Sequence, residues 1–138
     1  MNSNLSSRES KLPQGLAEKN VESWKKVVVF FREFASKENW EFLESMHELT
    51  EIMVKGENAR LFRAGQSLYY LLISTAEKHG LESDEPFVSV QLEKNKLWLI
   101  QYYESLGKST QSQTCSNNNE VLDVLQIFLD RLWLATRE

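Results

Sequence analysis

Residues 60–81, RLFRAGQSLYYLLISTAEKHGL, form the most strongly patterned stretch of the chain and the centre of the predicted fold. At the 100° per residue of an α-helix, Leu61, Leu68 and Leu72 fall on one line, with further apolar residues on both sides of it. Asn58 is a suitable N-cap and Gly80 a suitable stop. The pattern predicts a central helix with neighbours on most of its surface.

Gly65 lies inside this predicted helix, where glycine costs about 1 kcal/mol relative to alanine. A small residue on a buried helix face allows another backbone or a large ring to approach closely. The same space could admit a ligand, and aromatic residues elsewhere in the chain could line it. Close packing is the favoured explanation of Gly65, and the alternative is a ligand pocket beside it, lined by Tyr69, Trp98 and Tyr102.

Three further helices are predicted from apolar periodicity. The first covers residues 16–36 and the second residues 38–55, with Gly56 as its C-terminal cap. The last begins at an Asn cap in NNNEVLDVLQIFLDRLWLATRE, residues 117–138, which has an acidic residue in its first turn. These helices give a bundle of about four.

Residues 84–106 allow two interpretations. The favoured one is a β-hairpin at 87–103 that turns at Glu93–Asn95, with Asn95 in the left-handed position. In this hairpin six apolar side chains would lie on one face: Val88, Val90, Leu92, Trp98, Ile100 and Tyr102. The other is a fifth helix over 84–106, capped near Asp84 and ended by Gly107, which would make the fold all-α. The predicted fold class is thus mainly α (α+β), a helical bundle with one hairpin.

Low-complexity composition marks two segments that are expected to lack fixed structure. Residues 1–15 are polar and Ser-rich and are predicted to be a disordered tail. Residues 107–119, GKSTQSQTCSNNN, carry no large apolar side chain and are predicted to be a flexible surface loop. The remaining residues, 16–138, are predicted to form one helical domain of ordinary size.

The charge and composition argue against several partners. The net charge is −4, whereas nucleic-acid-binding domains and proteins that adsorb to anionic membranes usually carry a basic surplus. There is no apolar run of the roughly 18 residues that a membrane span needs. The single cysteine excludes an intrachain disulfide and favours a reducing compartment, so we expect a cytoplasmic protein.

One short pattern resembles a metal site. Glu44 and His47 form a Glu-x-x-His pair and Glu51 follows one turn later, a spacing found in di-iron helical bundles. These side chains are predicted to lie opposite the apolar stripe of their helix and to face solvent, where charged residues pair across a helical turn. We therefore expect no metal and no other cofactor, with Glu44, His47 and Glu51 as the weak candidates.

No catalytic motif is found, so the first hypothesis is a non-enzymatic protein-interaction or regulatory module that binds another protein or itself. Its interface candidates are an outward tryptophan and the second face of the hairpin, that is Trp40, Leu97, Leu99 and Tyr103. A symmetric homodimer would cover such a patch with its own copy. The alternative is a small-molecule-binding or enzymatic domain that uses the pocket near Gly65. A third hypothesis, DNA binding by a helix and a β wing, is opposed by the charge.

Overall fold

A computed structural model of the chain describes residues 7–77 and 84–138. It divides into two compact units, Met1–Gly65 and Gln66–Glu138. The prediction of a single domain over 16–138 stays a prediction. No helix in the described ranges is long and apolar enough to cross a membrane.

The first unit is helical. It contains α1 (Leu16–Ala35), a 3-10 turn (Glu41–Leu43), α2 (Glu44–Lys55) and α3 (Asn58–Leu61). The apolar stripe of α1 packs on α2 and α3, and its Trp24, Val27 and Phe31 are buried. The helix predicted at 16–36 is therefore confirmed, and the one predicted at 38–55 is confirmed from residue 41 onward, since Asn39 has φ of 71° and residues 38–40 are not helical.

Polar side chains of α1 bind the end of α3 and the residues that follow it. The Nε1–H of Trp24 donates to the carbonyl of Phe62 at 3.0 Å, and the Nδ2–H of Asn20 donates to the carbonyl of Arg60 at 2.9 Å. The Oγ of Ser23 accepts from the amide of Ala64 at 2.9 Å. These bonds satisfy buried and partly buried backbone groups at and just after the end of α3.

A five-stranded antiparallel sheet follows, in the order β1-β2-β3-β4-β5. Its strands are β1 (Arg63–Ser67), β2 (Tyr70–Ser74), β3 (Phe87–Leu92), β4 (Trp98–Ser105) and β5 (Lys108–Cys115). The unit boundary falls within β1. The chain ends in α4 (Asn118–Thr136), which begins at the predicted cap because the Asn117 side chain accepts from the Asn119 amide at 2.7 Å.

The core of the second unit lies between α4 and one face of this sheet. Strand pairs Leu71–Val90, Ile73–Val88, Val90–Ile100 and Val88–Tyr102 place alternate residues on that face. Helix α4 contacts β3, β4 and β5 and buries its own apolar stripe there, formed by Val121, Leu125, Phe128, Leu129 and Leu132. The helix and the sheet face thus cover each other.

The helix predicted over 58–79 is wrong, and so is the helical bundle that it implied. Residues 58–61 do form a short helix, but β1 and β2 occupy 63–74 and turn at Leu68–Tyr69. Leu68 has φ of 54°, so the turn uses a left-handed position without the Gly or Asn that normally reveals one. In β2, Leu71 and Ile73 are buried while Tyr70 and Leu72 are half-buried, a period-2 pattern completed by pairing with β3. Residues 78–79 lie outside the described part.

The predicted hairpin at 87–103 is present, in a register shifted from the expected one. Leu92 pairs with Trp98, and not with Lys96, because the loop is Lys94–Lys96 and Lys96 takes the left-handed conformation at φ of 66°. The shift moves each partner by two residues, so the same side chains still share one face and all of them are buried. The fifth helix over 84–106 is therefore excluded.

The two segments expected to lack structure are partly ordered. Residues 108–115, within the predicted loop 107–119, form β5 and pair with β4 from Trp98–Cys115 to Ser105–Lys108. A polar strand has no apolar alternation and so gives no strand signal. In the predicted tail 1–15, residues 7–9 are helical and Glu9 forms an ion pair with Arg60, with Nε–Oε1 at 2.8 Å. Residues 1–6 lie outside the described part.

Candidate interaction surface

Strand β5 forms one edge of the sheet and is strongly exposed. Seven of its eight residues are exposed, and Cys115 at its end is buried. Lys108 is its only charged residue, so the segment Ser109–Cys115, here called the edge segment, is uncharged. Exposed edge strands usually carry charges, prolines or bulges that block pairing with another chain. Here a bulge lies near Ser109, and pairing with β4 from Gln111 to Cys115 is regular.

Arg131 of α4 links the helix to this edge. Its Nη1–H donates to the Oε1 of Gln111 at 2.7 Å and its Nη2–H donates to the Oγ1 of Thr110 at 3.1 Å. Its guanidinium carbon lies 3.9 Å from the ring centroid of Tyr102, in the geometry of a cation–π contact. A single side chain thus fixes the position of α4 relative to β4 and β5.

Two large apolar side chains of α4 are exposed. Ile127 is 61% exposed and Leu134 is 55% exposed. They lie four residues before and three residues after Arg131, so all three share one helical face. At about 100° per residue, Ile127 lies about 40° and Leu134 about 60° round α4 from Arg131, on the side away from the buried stripe and together with the exposed Glu120 and Asp123.

The four residues proposed to line a pocket do not come together as predicted. Trp98 and Tyr102 lie on the sheet face covered by α4, and the Nε1–H of Trp98 donates to the Oδ1 of Asn118 at 2.7 Å. Tyr69 lies in the β1–β2 turn against Tyr70, with ring centroids 4.8 Å apart. Gly65 lies in β1, not in a helix, and a Cβ there would meet no described atom within 4 Å. The close packing inferred at Gly65 is therefore wrong, and the ligand site stays a prediction.

The interface candidates occupy two places. Leu99 and Tyr103 lie on the face of β4 opposite to α4 and are half-buried, and Tyr103 stacks on Phe87 with ring centroids 4.6 Å apart. Leu97 ends the β3–β4 loop, where its carbonyl accepts from the Glu93 amide at 3.0 Å. Their role in an interface stays a prediction.

Trp40 belongs to an aromatic cluster in the first unit. It is half-buried before α2 and packs edge-on against Phe34, with ring centroids 4.7 Å apart, and near Phe42 at 5.7 Å. The outward position expected on a helix face is therefore replaced by packing on the end of α1. Whether it contacts a partner stays a prediction.

His47 is buried, which corrects the prediction that it faces solvent. Its relative exposure is 8%, because α2 buries a broader face that includes Met46, His47 and Thr50. Its Nδ1 lies 3.3 Å from Glu44 Oε1 and its Nε2 lies 3.2 Å from Glu51 Oε1. Within residues 7–77 and 84–138, no three His, Cys, Asp or Glu side chains are grouped to hold a metal ion.

Sequence reasoning missed the surface formed by the edge segment, Arg131, Ile127 and Leu134. One feature of the sequence could have pointed to the α4 part of this surface. Arg131 interrupts the apolar C-terminal half of α4, and Ile127 falls outside the stripe that the helix buries. The edge segment gave no signal, since its residues are those of a polar loop.

No protein-family model, curated protein or solved structure matches this chain.

Proposed function

We propose that this protein is a non-enzymatic interaction module of the cytoplasm that binds an extended segment of a partner protein along the edge of β5. The single observation that carries the proposal is the exposed, uncharged edge segment. In such β-augmentation, backbone hydrogen bonds to the edge strand supply affinity and alternate side chains supply specificity.

The surroundings of the edge segment support the same function. The hydrogen bonds from Arg131 of α4 hold β5 in place, so a partner strand would bind to a strand whose conformation is already fixed. Preorganisation of this kind lowers the entropic cost of binding. The buried thiol of Cys115, which has no second cysteine in the chain, is compatible with a reducing compartment.

Site-specific photo-crosslinking tests the proposal. A photoreactive residue at Thr114, which is exposed and pairs with Leu99 of β4, reports on the edge. The same residue at Val29, which is exposed on α1, is the control. We expect discrete crosslinked species from Thr114 that disappear with Ser112→Lys, because an edge lysine opposes strand addition.

The crosslinked partner would be identified by mass, produced separately and titrated against the purified chain. We expect Ser112→Lys to weaken its binding at least about tenfold, or about 1.4 kcal/mol. Equal crosslinking from Thr114 and Val29, or none from Thr114, would show that the β5 edge binds no partner.

A further inference from the structure

We infer that the partner at the β5 edge is a second copy of this chain, which forms a two-fold symmetric dimer with a continuous sheet across paired β5 strands. This inference rests on the proposed function and names its partner. Two independent features of the second unit support it: the charge pattern of β5 and the exposed apolar pair on α4.

The edge segment is compatible with pairing to itself. When Ser109–Cys115 overlaps its own copy in antiparallel orientation, Ser112 lies at the centre and each Lys108 lies outside the overlap. No like charges then face each other, and the opposed side chains are Ser, Thr and Gln, apart from Cys115 opposite Ser109. Hydroxyl pairs of this type across strands contribute modest stability.

The symmetry of this pairing also places the two α4 helices on the same side of the extended sheet. Two identical antiparallel strands in one sheet are related by a two-fold axis perpendicular to the sheet, so equivalent faces coincide. Helix α4 packs on the face formed by β3 and β4 and also contacts β5. The helix of the second copy would therefore approach from across the β5–β5 junction.

The exposed side of α4 next to Arg131 carries two large apolar side chains. Ile127 and Leu134 flank Arg131, whose guanidinium contacts Thr110 and Gln111 of β5. A bound peptide strand would complete the sheet edge but leave these two side chains in water. A second copy would cover the edge segment and would also bring its own α4 to the same side of the sheet, across from the Arg131 side of this helix.

Analytical ultracentrifugation of the full chain and its variants tests the inference. We expect a dimer at about 100 μM, a concentration at which a micromolar dissociation constant gives nearly complete association. Ser112→Lys and Ile127→Lys should each raise the dimer dissociation constant at least about tenfold. Ser36→Lys and Val29→Lys, at exposed positions of the first unit, are the matched controls and should remain dimeric.

Charge complementation separates a direct contact from a loss of folding. At about 1 μM, Ser112→Lys alone and Ser112→Glu alone should both be mainly monomers, with the circular dichroism spectrum of the wild type. Mixed in equal amounts, they should form a heterodimer, because opposite charges meet where like charges repelled each other. Failure of the mixture to associate, with both variants folded, would overturn the self-pairing of β5.

The remaining outcomes are equally decisive. A wild-type monomer at about 100 μM overturns the inference; if Thr114 still crosslinks to a different protein, the proposed function survives. A wild-type monomer that also gives no crosslink from Thr114 would refute both the dimer inference and the proposed function. A dimer that Leu99→Glu dissociates, while Ser112→Lys and Ile127→Lys leave it intact, would move the interface to the opposite face of β4 and refute the inference.

Discussion

Arg131→Met should loosen the second unit locally, because one side chain connects α4 to both β4 and β5. The substitution keeps most of the aliphatic stem and removes the guanidinium. It therefore deletes the hydrogen bonds to Gln111 at 2.7 Å and Thr110 at 3.1 Å, and the contact with the Tyr102 ring at 3.9 Å. The ion pair with Glu104, at 3.8 Å, is too long to add much.

The magnitude follows from the exposure of these groups. The Arg131 side chain is 38% exposed, so solvent screens its charge and the lower end of each range applies. The cation–π contact contributes about 0.5–1 kcal/mol at such a site, and the two hydrogen bonds together contribute about 1–2 kcal/mol. We expect a loss of about 2 kcal/mol in the free energy of opening of β4 and β5.

Native-state amide hydrogen exchange measures this loss where it occurs. A decrease of about 2 kcal/mol corresponds to exchange about 30-fold faster for the protected amides of β4. Amides of α1 and α2, in the first unit, serve as the internal control. Protein concentration must be equal in all samples, because a dimer would add concentration-dependent stability.

A double-mutant cycle with Tyr102→Leu isolates the ring contact. The effect of Arg131→Met should be smaller in the Tyr102→Leu background by about 0.5–1 kcal/mol, the cation–π part. Exchange in Arg131→Met that matches the wild type within error would refute the view that this residue connects helix and strands.

Three other changes test the core and the strands. Asn118→Ala should lower the free energy of unfolding of the second unit by about 1–3 kcal/mol, measured by urea denaturation, because it leaves the buried Nε1–H of Trp98 without its acceptor; an unchanged midpoint contradicts this. Burial raises the pKa of the Tyr102 phenol above its ordinary value of 10.0 and the pKa of the Cys115 thiol above 9.0. The unfolded chain therefore loses these protons at a lower pH than the folded chain does. The urea concentration at the denaturation midpoint should fall as pH rises above about 9, and this fall should be less steep in Cys115→Ala. Gly65→Ala should be neutral or stabilising by up to about 1 kcal/mol, since a Cβ there meets no described atom within 4 Å; a loss of several kcal/mol in thermal unfolding would restore the close packing first inferred from the sequence.

The parts of the fold that the sequence predicted are those whose apolar pattern is local. The α1 stripe, the Asn117 cap and the buried face of the 87–103 hairpin each follow from residues a few positions apart. The predicted register of the hairpin was wrong because the left-handed loop residue was taken to be Asn95, the residue type that usually adopts this conformation. In the structure Lys96 adopts it instead. Because a shift of two residues preserves the face, the core residues were still identified correctly.

The parts that the sequence did not predict depend on pairing between distant segments. Leu71 and Ile73 are strand residues because Val90 and Val88 lie beside them, and this pairing overrides an acceptable helical pattern. Strand β5 is ordered because β4 provides a full set of backbone partners, although its own residues would suit a loop. In both cases the backbone hydrogen bonds fix the structure, and side-chain patterns report them poorly.

The same reasoning explains why the candidate interaction surface was not visible beforehand. An uncharged polar edge strand has the composition of a loop, and the strand addition that we propose would require β4 to have ordered it first. Ile127 and Leu134 are exposed on α4 within one helical turn of Arg131, which contacts that strand, and nothing in their sequence pattern separates them from ordinary isolated surface residues. The site is thus a property of the assembled sheet and helix, and the Ser112 and Ile127 variants test its two halves separately.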